Sequence, residues 1–193
     1  VLSRLKEALY AREVQQEKEG GVNVYEQMMK EMPKTTDVLF LPHLAGTGTP
    51  QMDMADRGVV HGLTLETKRG ELVRAALVGI AFDMRKNLDN MRSCGLPVGK
   101  ILAAGGGARS SEGLQIRSDI LREPIYASKD IQAGTRGVFY IAAKALGWIR
   151  EYEQIKSFSA DIQYRPQAEP AASYYEQKRR RYWELYERCC YVK

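Results

Sequence analysis

Several features that mark common functional classes are scarce in this 193-residue sequence. Its three cysteines, Cys94, Cys189 and Cys190, have the spacing of neither a disulfide framework nor a metal site. This cysteine usage favours a reducing compartment, the cytoplasm. Its two histidines, His43 and His61, also lack metal-ligand spacing, so we expect turn or packing roles for both. No run of about 18 apolar residues is present, so we expect no membrane contact.

Composition allows an ordinary folded unit. Hydrophobic residues make up 44% and charged residues 27%, which suffices for one domain or for one lobe of a larger protein. The net charge of +5 comes largely from a basic run at 178–181, which lies among aromatic residues at 174–186. Such a segment can bind nucleic acid, but it is more often a solvated helix with aromatics packed beneath. We expect the second case and no nucleic-acid partner.

The stretch 101–110 combines an apolar run, three glycines and the start of a helical pattern. Its first three residues do not alternate in polarity, which predicts a strand buried on both faces. The glycines leave a turn without side chains, and the amides that open the next helix can face an anion or a polar ring edge. The alternative is a tight connection that binds nothing. The glycine spacing fits neither the dinucleotide fingerprint nor the P-loop.

Periodicity predicts most of the helices. Residues 2–18 form one amphipathic pattern, and Asn23 is placed to cap a short helix that runs through Met32. The strongest pattern begins after Thr67, a predicted cap, and stops at Gly95. Its apolar residues lie on one helical face, with the methionines expected as core filler: Val73, Leu77, Ile80, Met84, Leu88 and Met91.

Strand candidates alternate with these helices. They cover residues 37–42, 101–104 and 124–127, and the last is followed by a helix capped by Asp130 and ending at Gly147. Ile131 belongs to the apolar positions of that helix, and its glycines Gly134 and Gly137 imply a close approach to the sheet or to a ligand. Alternating strands and helices predict the α/β class, with a mainly parallel sheet and flanking helices.

Three strands are few for so many helices. The sequence also begins without Met and inside a helical pattern. Both features predict that the chain is part of a longer protein whose first strands lie upstream. The isolated chain should then expose an apolar sheet edge, which favours self-association and allows a homo-oligomer.

Other polar residues form no catalytic arrangement in the sequence. Asp53 and Arg57 are expected to form a local pair that holds the loop, and Asp119 is expected at a surface or packing position. None has a neighbour that would make it a general base. Cys94 precedes a helix-ending glycine and is expected to be inert.

An ordered set of motifs resembles the FGGY carbohydrate kinases. The segments 41–50, 53–58 and 62–65 resemble the family's Leu-Pro, Gly-x-x-Thr-Pro, Asp, Arg-Gly and Gly-Leu-Thr signature. The glycine-rich stretch resembles its adenosine motif, and the glycines at 134–147 lie where the family has its closing helix. The resemblance runs from about residue 24 to 150 and looks closest to xylulokinase-like members.

The resemblance implies a truncated ribonuclease-H-like lobe of the actin, Hsp70 and hexokinase type. Residues 1–158 would be the C-terminal, ATP-binding lobe with its first strands missing, and residues 159–193 a linker and an aromatic, basic helix. The cofactors implied are ATP and Mg²⁺. The sugar, the metal and the catalytic base would be held mainly by an N-terminal lobe, so no catalytic or metal residue is assigned here.

The implied function is ATP-dependent phosphorylation of a sugar or polyol hydroxyl by the full-length parent, this chain alone being inactive. The glycines would lie against the adenine or ribose, Ala108 would extend that surface, and Arg109 and Ser110 would reach the adenine edge or ribose. An exposed charge and a helix cap are the alternative roles of these last two. The nucleotide-binding residues are therefore expected to be Gly105, Gly106, Gly107, Ala108, Arg109 and Ser110.

The sequence departs from the family at two places. Ser111-Glu112-Gly113 stands where Pro-Leu-Trp is frequent, and Thr135-Arg136 where Ala-Leu is usual. These departures and the extra C-terminal helix motivate an alternative function, a non-catalytic interaction module on the same fold.

Overall fold

The computed structural model describes residues 1–128, 132–155 and 162–190. The predicted cap Asp130, the apolar Ile131 and the expected boundary at 158/159 lie outside these ranges. The described helices are α1 (Leu2–Leu9), α2 (Ala11–Lys18), α3 (Val24–Glu31), α4 (Arg69–Ser93), α5 (Ser111–Leu121), α6 (Ala133–Ala145) and α7 (Ala171–Cys190). The strands are β1 (Leu39–Leu41), β2 (Val59–His61), β3 (Ile101–Ala103), β4 (Ile125–Ala127) and β5 (Ile162–Tyr164).

The fold is α/β, as predicted, but the strands do not form one mainly parallel sheet. β1 pairs with β2 in an antiparallel hairpin, and β3, β4 and β5 form a second sheet. In that sheet β3–β4 is parallel and β4–β5 antiparallel. β2 and β5 were not predicted, because three residues are too few for a clear alternation pattern. β3 was expected to be buried on both faces, yet Leu102 is 54% exposed.

Helix α4 lies at the centre of the packing and contacts α1, α3, α5 and β1. It is surrounded on most sides, so its buried residues extend well beyond the predicted stripe. They include Ala75, Ala76, Ala81 and Phe82, while the predicted core residues Met84 and Met91 are exposed. Burial of small residues lets neighbouring backbones approach closely. A Cβ on Gly79 would lie 2.1 Å from the Phe40 carbonyl oxygen.

The predicted 2–18 helix is broken at Tyr10, whose φ of −129° interrupts the helical backbone. The Tyr10 ring is fully buried beneath the guanidinium of Arg69, and its hydroxyl donates to Glu31 Oε2 at 3.0 Å. Arg69 also pairs with Glu13 and Glu31. The break follows from these tertiary contacts, which helical periodicity does not report.

Helix α7 packs its aromatic residues against the core. Tyr175, Tyr182 and Tyr186 are buried, and the Lys178 ammonium donates to the carbonyls of Thr36 at 2.5 Å and Val38 at 2.9 Å. The aromatics pack beneath this helix, as expected, but the basic run is not wholly solvated, because Lys178 is buried. None of the described helices has the length and apolarity needed to cross a bilayer.

The local helix signals are mostly confirmed. Asn23 Oδ1 accepts from the backbone of Tyr25 and Glu26, and Gly95 ends α4 with a φ of +74°. Gly147 follows α6 in the same conformation. Thr67 is not the α4 cap: the helix begins one residue later, and the Glu71 carboxylate accepts from Lys68 N.

The close approach of α4 to β1 predicts a strong effect of Gly79→Ala. The added methyl group would force the helix away from the β1 backbone, because a carbonyl at 2.1 Å cannot rotate aside as a side chain can. We expect the free energy of unfolding to fall by at least about 2 kcal/mol, measured by urea denaturation.

Gly137→Ala is the matched control within a helix. A Cβ at Gly137 meets no atom within 4 Å, so this change should raise stability by up to about 1 kcal/mol through helix propensity. Equal effects of the two substitutions would contradict the close approach.

The buried Lys178 should make the stability of the folded chain depend on pH. Burial, with a smaller contribution from Arg181, lowers the pKa of Lys178 from 10.5 to about 8. Between these values the unfolded chain binds more protons than the folded one, so stability should rise as pH increases from about 8 to 10.5. We expect a gain of up to about 3 kcal/mol relative to Lys178→Met, from denaturation curves at several pH values. The exposed Lys18→Met controls for the lost charge, and the same profile in Lys178→Met and the parent chain would contradict this assignment.

Candidate functional site

The glycine-rich stretch forms a loop between β3 and α5. Gly105 turns the chain with a φ of +78°, a conformation that side chains rarely adopt. Residues Gly106–Ala108 then form one 3₁₀ turn, in which Ala108 N donates to Gly105 O at 3.0 Å. The loop thus leaves the carboxyl end of a strand that has a parallel neighbour, the end at which α/β proteins bind ligands.

Among the described residues, no side chain packs closely over the glycines of this loop. A Cβ on Gly105 or Gly106 would meet no atom within 4 Å, and on Gly107 the nearest atom is an Arg117 nitrogen at 3.6 Å. The absence of side chains therefore does not serve close packing within the described residues. It leaves a bare backbone surface that a flat ligand could approach.

Arg117 holds the loop from beneath and was not predicted. Its Nη1 donates to the Gly107 carbonyl at 2.9 Å, and burial lowers the pKa of the guanidinium. The signal in the sequence was a lone arginine on the helix that follows the loop, two turns after Ser110. This contact orients the Gly107 peptide and restricts the movement of the loop.

Ser110 and Arg109 have different roles in the structure. Ser110 Oγ accepts from Gly113 N at 2.9 Å and so caps α5, while Arg109 is exposed. The Glu112 carboxylate lies 3.4 Å from Ser110 Oγ and 3.1 Å from Ser111 Oγ. The first turn of α5 thus carries a negative charge beside the loop.

Helix α6 does not close over the loop. Gly134 and Gly137 were expected to allow a close approach, but a Cβ on either would meet no atom within 4 Å. Only Ala143 of α6 is buried, and its apolar residues Val138, Phe139 and Ile141 are exposed. The described residues therefore leave one apolar side of α6 open.

The polar residues of the 43–58 loop have structural roles, as expected. Arg57 Nη1 donates to the carbonyls of Met54, Ala55 and Asp56, and Asp53 Oδ1 accepts from Ala55 N. His43 is buried, in contrast to His61, which is exposed on β2.

Asp119 is also buried, as the packing interpretation required. Its carboxylate accepts from Gln115 Nε2 and Gln167 N, and burial raises its pKa. In the described ranges no three His, Cys, Asp or Glu side chains come together as a metal site.

Comparison with known proteins connects this geometry to a family. The model of the FGGY family of carbohydrate kinases, C-terminal domain, matches residues 4–146. The glycerol kinase of Francisella tularensis subsp. holarctica is 33% identical over 124 residues, which cover 64% of this chain and 25% of that protein. The chain thus spans about a quarter of the length of this curated relative.

Solved structures give the same picture. A xylulose kinase from Lactobacillus acidophilus is 28% identical with a TM-score of 0.68, over 86% of this chain and 34% of that one. A gluconate kinase from the same organism is also 28% identical, with a TM-score of 0.67 over the same shares. The ribonuclease-H-like lobe implied by the sequence motifs is therefore confirmed.

The family match includes the 41–65 segment, the central helix α4 and the glycine loop, which are the parts that carry the resemblance in the sequence. It extends over most of the chain. The chain therefore belongs to the FGGY family of carbohydrate kinases and contains its C-terminal domain.

Proposed function

We propose that this chain is the nucleotide-binding lobe of a kinase that transfers a phosphoryl group from ATP to a hydroxyl of a sugar or polyol. The observation that carries the proposal is the bare glycine loop after β3, within a carbohydrate-kinase domain. A loop that no side chain covers and that Arg117 holds from below suits a flat base or ribose better than a compact anion.

The loop residues divide the work of binding the nucleotide. Gly105, Gly106 and Gly107 would lie against the adenine or ribose, since side chains there would occupy the place of the ring. Ala108 would extend the surface with one methyl group. The exposed guanidinium of Arg109 is free to turn towards the nucleotide, and Ser110 would contribute its hydroxyl while it caps α5.

Catalysis needs more than this lobe contains. Phosphoryl transfer requires a positioned nucleotide, metal ions that neutralise charge, and a base for the acceptor hydroxyl. Asp56 and Asp119 are buried and already accept hydrogen bonds from neighbouring groups, so neither is placed to act as that base. The described residues do not fit a Mg²⁺ site, and we assign the metal and the base to the remainder of the kinase. This chain alone should be inactive.

The open surfaces of the chain fit its role as one part of a larger enzyme. Among the described strands β3 pairs on one side only, which leaves a free edge beside the exposed Leu102. The apolar side of α6 is exposed as well. A longer kinase chain could extend the sheet at this edge and cover α6.

The start of α5 supports a second candidate function, a non-catalytic interaction module. Glu112 places a carboxylate next to Ser110, at the helix end where the phosphates of a nucleotide would otherwise find free amides. Its negative charge would weaken the binding of a phosphate there. A protein that binds ATP without turnover would fit this alternative.

The chemical class of the acceptor is suggested by the relatives. They are named as kinases of glycerol, xylulose and gluconate, all of which carry several hydroxyl groups. We extend to this protein only the class that they share, a polyhydroxylated acceptor, because the residues that choose among such acceptors belong to the other lobe in our proposal.

A first test is nucleotide binding by the glycine loop. Gly106→Val should weaken ATP binding by about 10-fold or more, because its side chain would stand where the nucleotide ring lies. The fold should persist, since no described atom lies within 4 Å of the Cβ position of Gly106. Isothermal titration with ATP and ADP measures the effect.

Gly99→Val is the matched control, since Gly99 also has no atom within 4 Å of its Cβ position and lies outside the loop. Equal ATP affinity of the two variants would show that the loop is not part of the nucleotide site.

A second test is turnover by the whole kinase that contains this chain. We expect ADP release that depends on one member of a panel of glycerol, pentoses, ketopentoses, hexoses and sugar acids. The 193-residue chain should release none under the same conditions. ATP binding without turnover on the whole panel would favour the non-catalytic function.

A further inference from the structure

A cavity lies away from the glycine loop, between the 42–51 segment, α4 and α7. Its volume is about 390 Å³, within the range of small-molecule sites, and no glycine-loop residue lines it. Two of the lining residues each have a buried polar atom without a partner in the described part of the chain, and the wall also includes a lysine and a tryptophan. The residues that matter for its chemistry are His43, Lys86, Asn87 and Trp183.

His43 lines this cavity and carries an unfilled hydrogen-bonding atom. The side chain is 5% exposed, and its Nε2 lies 3.1 Å from Asp83 Oδ2. Because a carboxylate only accepts, Nε2 carries the proton, and a neutral ring then presents Nδ1 as an acceptor. Nδ1 is buried and has no hydrogen-bond partner among the described residues.

Asn87 adds a second unfilled acceptor. It follows Asp83 by one helical turn on α4 and therefore lies on the same face. Its Oδ1 is buried and has no partner within the described part of the chain. Leaving such groups unpaired costs free energy, and two of them beside one cavity favour a ligand that can donate to both.

Lys86 adds hydrogen-bond donors to the two acceptors. Its ammonium lies 4.5 Å from the centre of the Trp183 ring and 5.0 Å from that of Tyr186. Burial lowers its pKa, whereas the charges of Asp83, Asp56 and Glu187 act in the other direction. No described carboxylate forms an ion pair with Lys86, so its N–H groups remain available to a ligand.

We propose that this cavity binds a small neutral ligand with several hydroxyl groups, a monosaccharide or polyol. A hydroxyl group both donates and accepts, so neighbouring hydroxyls can accept from Lys86 and, after a small rotation of the two side chains, donate to His43 Nδ1 and Asn87 Oδ1. Trp183 adds an apolar ring against which a carbon skeleton can pack.

Charge disfavours a free phosphate in the same place. Asp83, Asp56 and Glu187 all lie near Lys86, and Asp83 lines the cavity with it, so their negative charge offsets that of the ammonium and weakens its attraction for an added anion. Ordered water is the remaining alternative, since water can also donate to both acceptors.

The test uses Trp183 as its reporter. The sequence has two tryptophans, and Trp148 is exposed, so Trp148→Phe leaves a single tryptophan at the cavity. Glycerol, xylitol, D-glucose and inorganic phosphate are titrated into this protein. We expect a saturable fluorescence change with at least one of the three neutral compounds, at roughly millimolar concentration, and none with phosphate.

Asn87→Leu separates binding from folding. Its Oδ1 has no partner to lose, so the melting temperature should hold or rise, while the affinity for the polyol or sugar falls by about 10-fold or more. Asn90→Leu, on the same helix but not lining the cavity, should leave the affinity unchanged.

Three results would overturn the proposal. They are saturation by phosphate alone, the same response in both leucine variants, and no saturable response to any neutral compound. The last result would mean that the cavity holds water only.

Discussion

The contact between α4 and its neighbours is the constraint on which the remaining packing depends. Gly70 and Gly79 let the helix lie directly against the backbones of Glu31 and Phe40, where a methyl group would not fit. At this distance α4 can reach elements on several sides at once. Arg69 at its start holds Tyr10, and Arg74 donates to Pro33 O and to the Tyr175 hydroxyl. The positions of the surrounding elements are thus set by their contacts with α4.

The same helix determines where the candidate sites lie. α5 packs on α4, and Arg85 of α4 donates to the Ile120 carbonyl at the end of α5. Because the glycine loop leads into α5 and Arg117 ties it to that helix, its position relative to the core depends on the α4–α5 contact. The position of the cavity beside α7 depends on α4 still more directly, since Asp83, Lys86 and Asn87 are residues of α4 itself. A nucleotide at one site and a polyol at the other would therefore both contact elements that pack on α4 or belong to it.

Features that depend on neighbours in sequence were predictable, and features that depend on distant partners were not. The Asn23 cap, the Ser110 cap and the end of α4 at Gly95 are local, and the structure has all three. The family resemblance located the glycine loop for the same reason, because its residues are consecutive. The break at Tyr10 could not be predicted, since it rests on Arg69 and Glu31. Neither could the separation of the strands into two sheets, because pairing is decided between segments far apart. His43 was expected to have a turn or packing role. That it lines the same cavity as Asn87 could be learned only from the folded structure.

The two bonds from Lys178 also have a consequence for the order of folding. The carbonyl groups of Thr36 and Val38 lie at the entry to β1, yet their partner is made 142 and 140 residues later in synthesis. A growing chain that has completed β1, α4 and α5 still has these acceptors, and the apolar surface beneath α7, open to water. Contacts with such large sequence separation form late, because a long loop must close before they contribute. During translation the core beneath α7 should therefore stay incompletely packed until α7 emerges from the ribosome.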